Sequence, residues 1–226
     1  MNVVPSSPDP ERRPTAPAAG PRRRASVPAL SVGTIDDVRP GSLLVAMPGL
    51  TDPTFAGTVV YVLDHSENGT VGVVLGHPSE VRIGDVLPGW SDLAVEPGVF
   101  HVGGPCESDT ALCLAVTAVP DPAGAAAEPV EGLRRVSGDV HLVDLDADPA
   151  LLAGRLTALR VFAGYAGWSP MQLAAEVAEG SWACIDGTGD DVVAAAGGAA
   201  LWRRVLTRQT GTRAVLTTAP AEPALN

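Results

Sequence analysis

The chain has 226 residues and a formal net charge of −11, with 46% apolar and 18% charged residues. These proportions suit one large domain or two small ones and exclude a wholly disordered chain. No run of about 18 uninterrupted apolar residues occurs, which excludes an ordinary transmembrane helix, so no membrane partner is expected.

The charge is unevenly spread. All 15 cations are arginines; residues 1–40 carry a net +2 and residues 41–209 a net −13. An acidic body repels polyphosphate, so nucleic acid is not expected to bind it. Cys106, Cys113 and Cys184 are odd in number and lack a CxxC spacing, which argues against a disulfide framework or a zinc ribbon. The first residues lack the apolar stretch of a secretory signal. These features point to the cytoplasm.

Residues 1–38 are rich in Pro, Ala, Ser and Arg and read as a tail, with a basic cluster at Arg22-Arg23-Arg24. The globular body is expected over residues 39–209, with residues 210–226 as a second loose end. Leu43 to Met47 reads as a buried strand stopped by Pro48-Gly49. Residues 58–75 predict a hairpin: two β-branched runs flank Asn68-Gly69, a pair suited to positive φ. Gly72 inside the second run predicts a bulge or a close backbone approach.

The segment after Pro78 predicts a short helix capped by Ser79. Val99–Val102 and Ala111–Val116 read as strands separated by Gly103-Gly104-Pro105. Residues 119–132 read as an exposed loop and Val140–Leu145 as a further strand. Asp148 and Pro149 predict the start of a helix running to about Leu159, with Leu151, Leu152, Leu156 and Leu159 on one side. Arg160 to Tyr165 reads as a strand leading into Gly164-Tyr165-Ala166-Gly167-Trp168. Ser169-Pro170 opens a helix that Gly180 ends, Ser181–Ile185 is a strand, and residues 190–208 are helical. Interleaved strands and helices with a hairpin give an α/β (α+β) class with a mixed sheet.

Signatures of chemistry are sparse. A P-loop needs lysine, which the chain lacks, and Gly187-Thr188-Gly189 lacks the third glycine of a dinucleotide fingerprint. Asp144-Leu145-Asp146-Ala147-Asp148 departs from a calcium loop at Pro149 and Arg155. No metal or cofactor is expected. Cys106 sits beside Glu107 and Asp109, whose charge works against a nucleophilic thiolate, and Cys113 alternates into an apolar strand. His65 follows Asp64, but neighbours on a strand face opposite sides, so His65 reads first as a group that closes the hairpin by hydrogen bonds.

Several motifs in order resemble the YqgE/AlgH family of small bacterial proteins: Gly41-Ser42-Leu43-Leu44-Val45-Ala46-Met47-Pro48, Asp52-Pro53-Thr54-Phe55, Thr58-Val59-Val60-Tyr61-Val62 with His65, Gly72-Val73-Val74-Leu75, Gly103-Gly104-Pro105, and Gly164 to Leu173 with Glu176 and Trp182. Gly76 and His77 stand where that family usually carries Asn and then Arg or Lys, and Cys106 where it usually carries Val. The resemblance implies a single compact domain with a barrel-like sheet flanked by helices, located in the cytoplasm, with no established enzyme activity or cofactor. One branch is associated with transcriptional regulation of alginate production.

Physically, Gly103, Gly104 and Pro105 predict a tight turn with outward N–H groups. Gly164 and Gly167 lead into a helix N-terminus that Trp168 and Gln172 would line. With His65, these are the candidate ligand-binding residues; close packing is the competing reading. The leading expectation is a regulatory or accessory factor, not an enzyme, that binds a partner protein or small ligand. The alternatives are a hydrolase using His65 with a carboxylate, and a transcriptional regulator contacting DNA through Arg22–Arg24.

Overall fold

The computed structural model describes residues 33–118, 130–195 and 197–208. The Arg22–Arg24 cluster, most of the predicted 119–132 loop and the chain after Arg208 lie outside them. The elements are β1 (Ser42–Ala46), β2 (Val59–Ser66), β3 (Gly69–Leu75), β4 (Pro78–Arg82), α1 (Ile83–Val86), β5 (Val99–Val102), β6 (Cys106–Thr117), β7 (Leu133–Ser137), β8 (Val140–Val143), α2 (Pro149–Leu152), β9 (Leu156–Trp168), α3 (Pro170–Ala178), β10 (Trp182–Asp186), α4 (Gly189–Val192) and α5 (Gly198–Thr207).

Ten strands make one sheet in the order β10-β1-β2-β3-β9-β6-β8-β7, with β5 joined to β9 and β4 to β5. The sheet is mixed because β5 runs parallel to β9, pairing His101 with Phe162, while the other named ladders are antiparallel. It curls far enough for the β7–β8 turn to reach the start of β1: a Cβ on Gly41 would lie 2.3 Å from that of Ser137. The class and the barrel-like, helix-flanked single domain are as expected.

The inner face buries Leu43, Tyr61, Val73, Leu114 and Phe162 under α5, whose Leu201, Trp202, Val205 and Leu206 complete that core. Trp202 donates its indole N–H to the Ala46 carbonyl at 2.7 Å, which fixes the helix over β1. The outer face has two covers. One is α3, over Leu44, Val60, Val74 and Trp168. The other comprises α1, α2 and the 3-10 turn Pro88–Leu93, around Trp90, Phe100 and Val161.

The hairpin of residues 58–75 forms as predicted, with a register shift between Val62 and Asp64. A Cβ on Gly72 would lie 2.7 Å from the Tyr61 carbonyl oxygen, so the strand crossing needs glycine there.

Four expectations fail. Residues 78–82 are strand β4, not helix, and only α1 is helical; Ser79 accepts from the Val81 N–H as a local turn and caps nothing. The helix from Pro149 ends at Leu152 although Asp148 caps it as predicted, accepting from Ala150 N–H at 2.9 Å. Leu156 and Leu159 belong instead to β9, which ladders with β6 from Thr117↔Leu156 to Cys106↔Tyr165. A strand at Leu133–Ser137 is unanticipated, and the next one stops at Val143 rather than Leu145. Finally, composition places residues 33–38 in the tail, yet Ile35–Asp37 form a 3-10 turn and Val38 is buried.

Candidate functional site

The candidate residues gather at two places along β9. At the first, the Gly103-Gly104 segment lies against Gly164 backbone to backbone. A Cβ on Gly103 would sit 2.2 Å from the Gly164 carbonyl oxygen, and one on Gly104 would sit 2.2 Å from the Tyr165 carbonyl carbon. The Gly103 N–H donates to Ala163 and its carbonyl accepts from Val74, each at 2.8 Å. The N–H predicted to face outward is therefore spent in the sheet. Gly164 has φ +71 and a Cβ there would lie 2.7 Å from the Cys106 carbonyl oxygen. This is a crossing of two backbone segments that side chains would prevent. Pro105 is exposed beside it and Cys106 half-buried. Glu107 adopts φ +44, and its carboxylate accepts from the Tyr165 hydroxyl at 3.2 Å. Gly167 is exposed, 3.9 Å from the Cys106 sulfur measured to an added Cβ.

The second place is the α3 cap. His65, Thr70 and Trp168 lie side by side on β2, β3 and β9. His65 Nδ1 and the Thr70 hydroxyl share a 2.7 Å hydrogen bond. Asp64 pairs with Val71 and so points to the other face. His65 thus engages a buried threonine as the closure of its hairpin, and Asp64 is not its partner.

Beyond Trp168 the chain turns at Ser169 into α3, with Pro170 at its first position as predicted. Ser169 makes no side-chain cap; its carbonyl accepts from the Gln172 and Leu173 N–H groups. Phe55, Trp168 and Trp182 pack together with ring centroids 5.5, 5.6 and 5.7 Å apart. Glu176 organises them. Its Oε2 accepts the indole N–H of Trp182 at 2.7 Å and of Trp168 at 3.1 Å, and its Oε1 accepts from Gln172 Nε2 at 3.0 Å. These three donors are neutral. Met171 is 81% exposed on the same helix.

Sequence reasoning missed Glu176 as the hub and Phe55 as its neighbour. A weak signal existed: Glu176 flanks the buried stripe of Leu173 and Val177, three residues after the first. It also missed Arg160, which is 2% exposed on the inner face. Its guanidinium donates to the carbonyls of Val192 and Ala194 at 3.2 and 2.7 Å, closing the end of α4, and burial lowers its pKa to about 10.

The half-fingerprint at Gly187–Asp191 resolves as a capping box. Asp191, fully buried, accepts from the Thr188 N–H and hydroxyl, from Arg204 and, at 2.6 and 2.8 Å, from Arg208. Burial alone would raise its carboxyl pKa; the hydrogen bonds and charge of its partners together hold it below the ordinary value. Burial pushes the Cys113 thiol up to about 12, consistent with its place in the core. Among the described residues, no group of three or more His, Cys, Asp or Glu could hold a metal ion, and no helix is long and apolar enough to cross a membrane.

An AlgH-like family model matches residues 43–214. A UPF0301 protein of Streptomyces coelicolor is 50% identical over 187 residues, covering 82% of this chain and 94% of that protein. One from Rhodococcus jostii is 46% identical over 185 residues, covering 82% and 90%. The crystal structure of a Corynebacterium diphtheriae protein is similar at 33% identity and TM-score 0.72, covering 80% of this chain and 93% of that one. The solution structure of the AlgH protein from Pseudomonas aeruginosa is similar at 25% identity and TM-score 0.53, covering 81% and 95%. With the family model spanning most of the chain and relatives near half identity over nearly their full length, this protein belongs to the AlgH-like family, the UPF0301 proteins.

Proposed function

We propose that this protein is a cytoplasmic accessory or regulatory factor, not an enzyme, that binds a partner protein through the α3 face. The observation that carries this reading is the state of Glu176. Three neutral donors hold its carboxylate in place but cancel none of its charge. On the solvent pole of the same helix, about 140° round its axis from Glu176, Met171 offers a flexible apolar side chain, a residue type enriched at interfaces. Asp52 and Glu179, both exposed, extend the negative character onto the flanking loop and the helix end. A partner segment that sets Arg or Lys next to an apolar anchor matches this surface, and the −13 body would speed its approach.

A photo-crosslinking amino acid at position 171, with the same probe at Leu151 as control, tests the reading. Leu151 is 77% exposed on α2, far from the cap in sequence and on the other outer cover. The expected result is one discrete adduct from position 171 on irradiation of cells, and a weaker one when lysate is irradiated in added salt or when Glu179→Arg is present. No adduct at 171, or equal adducts at both positions, would overturn it.

A further inference from the structure

A second region carries an unassigned feature that does not depend on the α3 face. On the inner face, beside the end of α4, the buried His101 and Arg160 are near neighbours, and His77 immediately precedes Pro78, the β4 partner of His101. His101 and Phe162 are opposite one another in the parallel β5–β9 ladder, with rings 6.0 Å apart. Arg160 lies two residues before Phe162 and so on the same, inner face. The field of Arg160 and that of His77 both reach His101. His101 is 3% exposed and Arg160 2%.

Each carries a buried nitrogen without a partner, Nδ1 of His101 and Nε of Arg160. The remaining guanidinium groups are met by the carbonyls of Val192, Val193 and Ala194. None of these acceptors is a carboxylate. Carbonyl dipoles at the end of α4 stabilise the cation in part, but among the described residues no carboxylate pairs with it.

We propose that Arg160 and His101 are the walls of a buried site for a small monovalent anion of about the size of chloride. Such an ion supplies both missing items, an acceptor for the Arg160 Nε–H and the His101 Nδ1–H, and a negative charge. A water molecule could accept from the two nitrogens, but it would bring no charge and would need acceptors for its own hydrogens. Lodged under the α4–α5 segment, the ion would tie the C-terminal cap to β9 and β5.

Crystals grown in sodium bromide provide the direct test. An anomalous peak within hydrogen-bond distance of Arg160 Nε and His101 Nδ1 is expected. Thermal unfolding should show a saturable bromide-dependent rise in Tm that sodium gluconate at equal ionic strength does not produce. His101→Phe should weaken the halide response about tenfold. Density for a water without anomalous signal, or the same Tm response to both salts, would overturn the proposal. Should His101→Phe fail to fold, the wild-type crystal alone decides.

Discussion

Of the helical covers on this sheet, the α5 cap on the inner face and the α3 cap on the outer face are each organised by a carboxylate. Glu176 holds α3 through three neutral donors, whereas Asp191 holds α4 to α5 through two arginines and a threonine. The hydrogen-bonding capacity of both carboxylates is well used, so both act as clamps. They differ in what happens to the charge. Around Asp191 it is cancelled in place, and the carboxylate is sealed from water. Around Glu176 it persists, half-buried at the flank of a helix whose solvent pole carries the exposed Met171. A charge that is clamped but not neutralised still projects its field outward, which makes the α3 cap the better candidate for recognition and the α5 cap the better structural lock.

The sharpest way to break this comparison is a pair of isosteric changes. Asp191→Asn should cost about 3 kcal/mol at neutral pH, because it leaves two arginines beside a neutral amide in a buried position. Denaturant unfolding would measure it. The gap to wild type should narrow in acid: the Asp191 pKa is depressed in the folded state, so its stabilisation is complete above the unfolded value of 3.8 and is lost as pH falls through the lower folded value. Glu176→Gln, by contrast, should cost only about 1 kcal/mol, since the indoles keep an acceptor and no cation is orphaned. Equal costs at the two sites would refute the distinction.

A pH titration sharpens the picture at the inner face. Burial, and then the fields of Arg160 and His77, depress the His101 pKa from 6.5 to about 4. In halide-free buffer the unfolded chain therefore takes up this proton first. Stability should fall as pH drops from 6.5 towards 4, by up to about 3 kcal/mol in all. His101→Phe should flatten that slope in the same unfolding measurement. The smallest effect belongs to Met171→Arg, which should change stability by no more than about 0.5 kcal/mol while abolishing recovery of the crosslinked partner in a pull-down with the tagged, probe-free protein. A large loss of stability there would mean that Met171 is a packing residue.

The comparison also shows how unequally the two caps could be read in advance. Pro170 at the start of α3 and Gly180 after it are local signals, and they mark the helix correctly. Glu176 lay in plain view at the edge of an apolar stripe, but its role needed Trp168 and Trp182, which only the β9–α3–β10 arrangement places on one oxygen. Arg160 gave no signal, because an arginine in an alternating strand reads as a solvent position until α4 is laid over it. The glycine motifs were legible as places of close approach. That Gly103 and Gly164 approach each other was not.

By itself the sequence determined whatever short-range chemistry dictates: the Asn68-Gly69 hairpin with its β-branched flanks, the Asp148 and Ser169-Pro170 helix starts, the acidic body and the family. Tertiary structure decided the rest. Leu151, Leu152, Leu156 and Leu159 satisfy a helical period, yet β6 offers a long partner, and Leu156–Trp168 gain more from that ladder and two buried faces than four turns of an isolated helix could supply. The same holds for charge. A local pattern tells where an ionisable group sits along the chain, but its partners and its burial come from residues far away in sequence, and those settle whether it is a clamp, an ion's wall or a surface to be recognised.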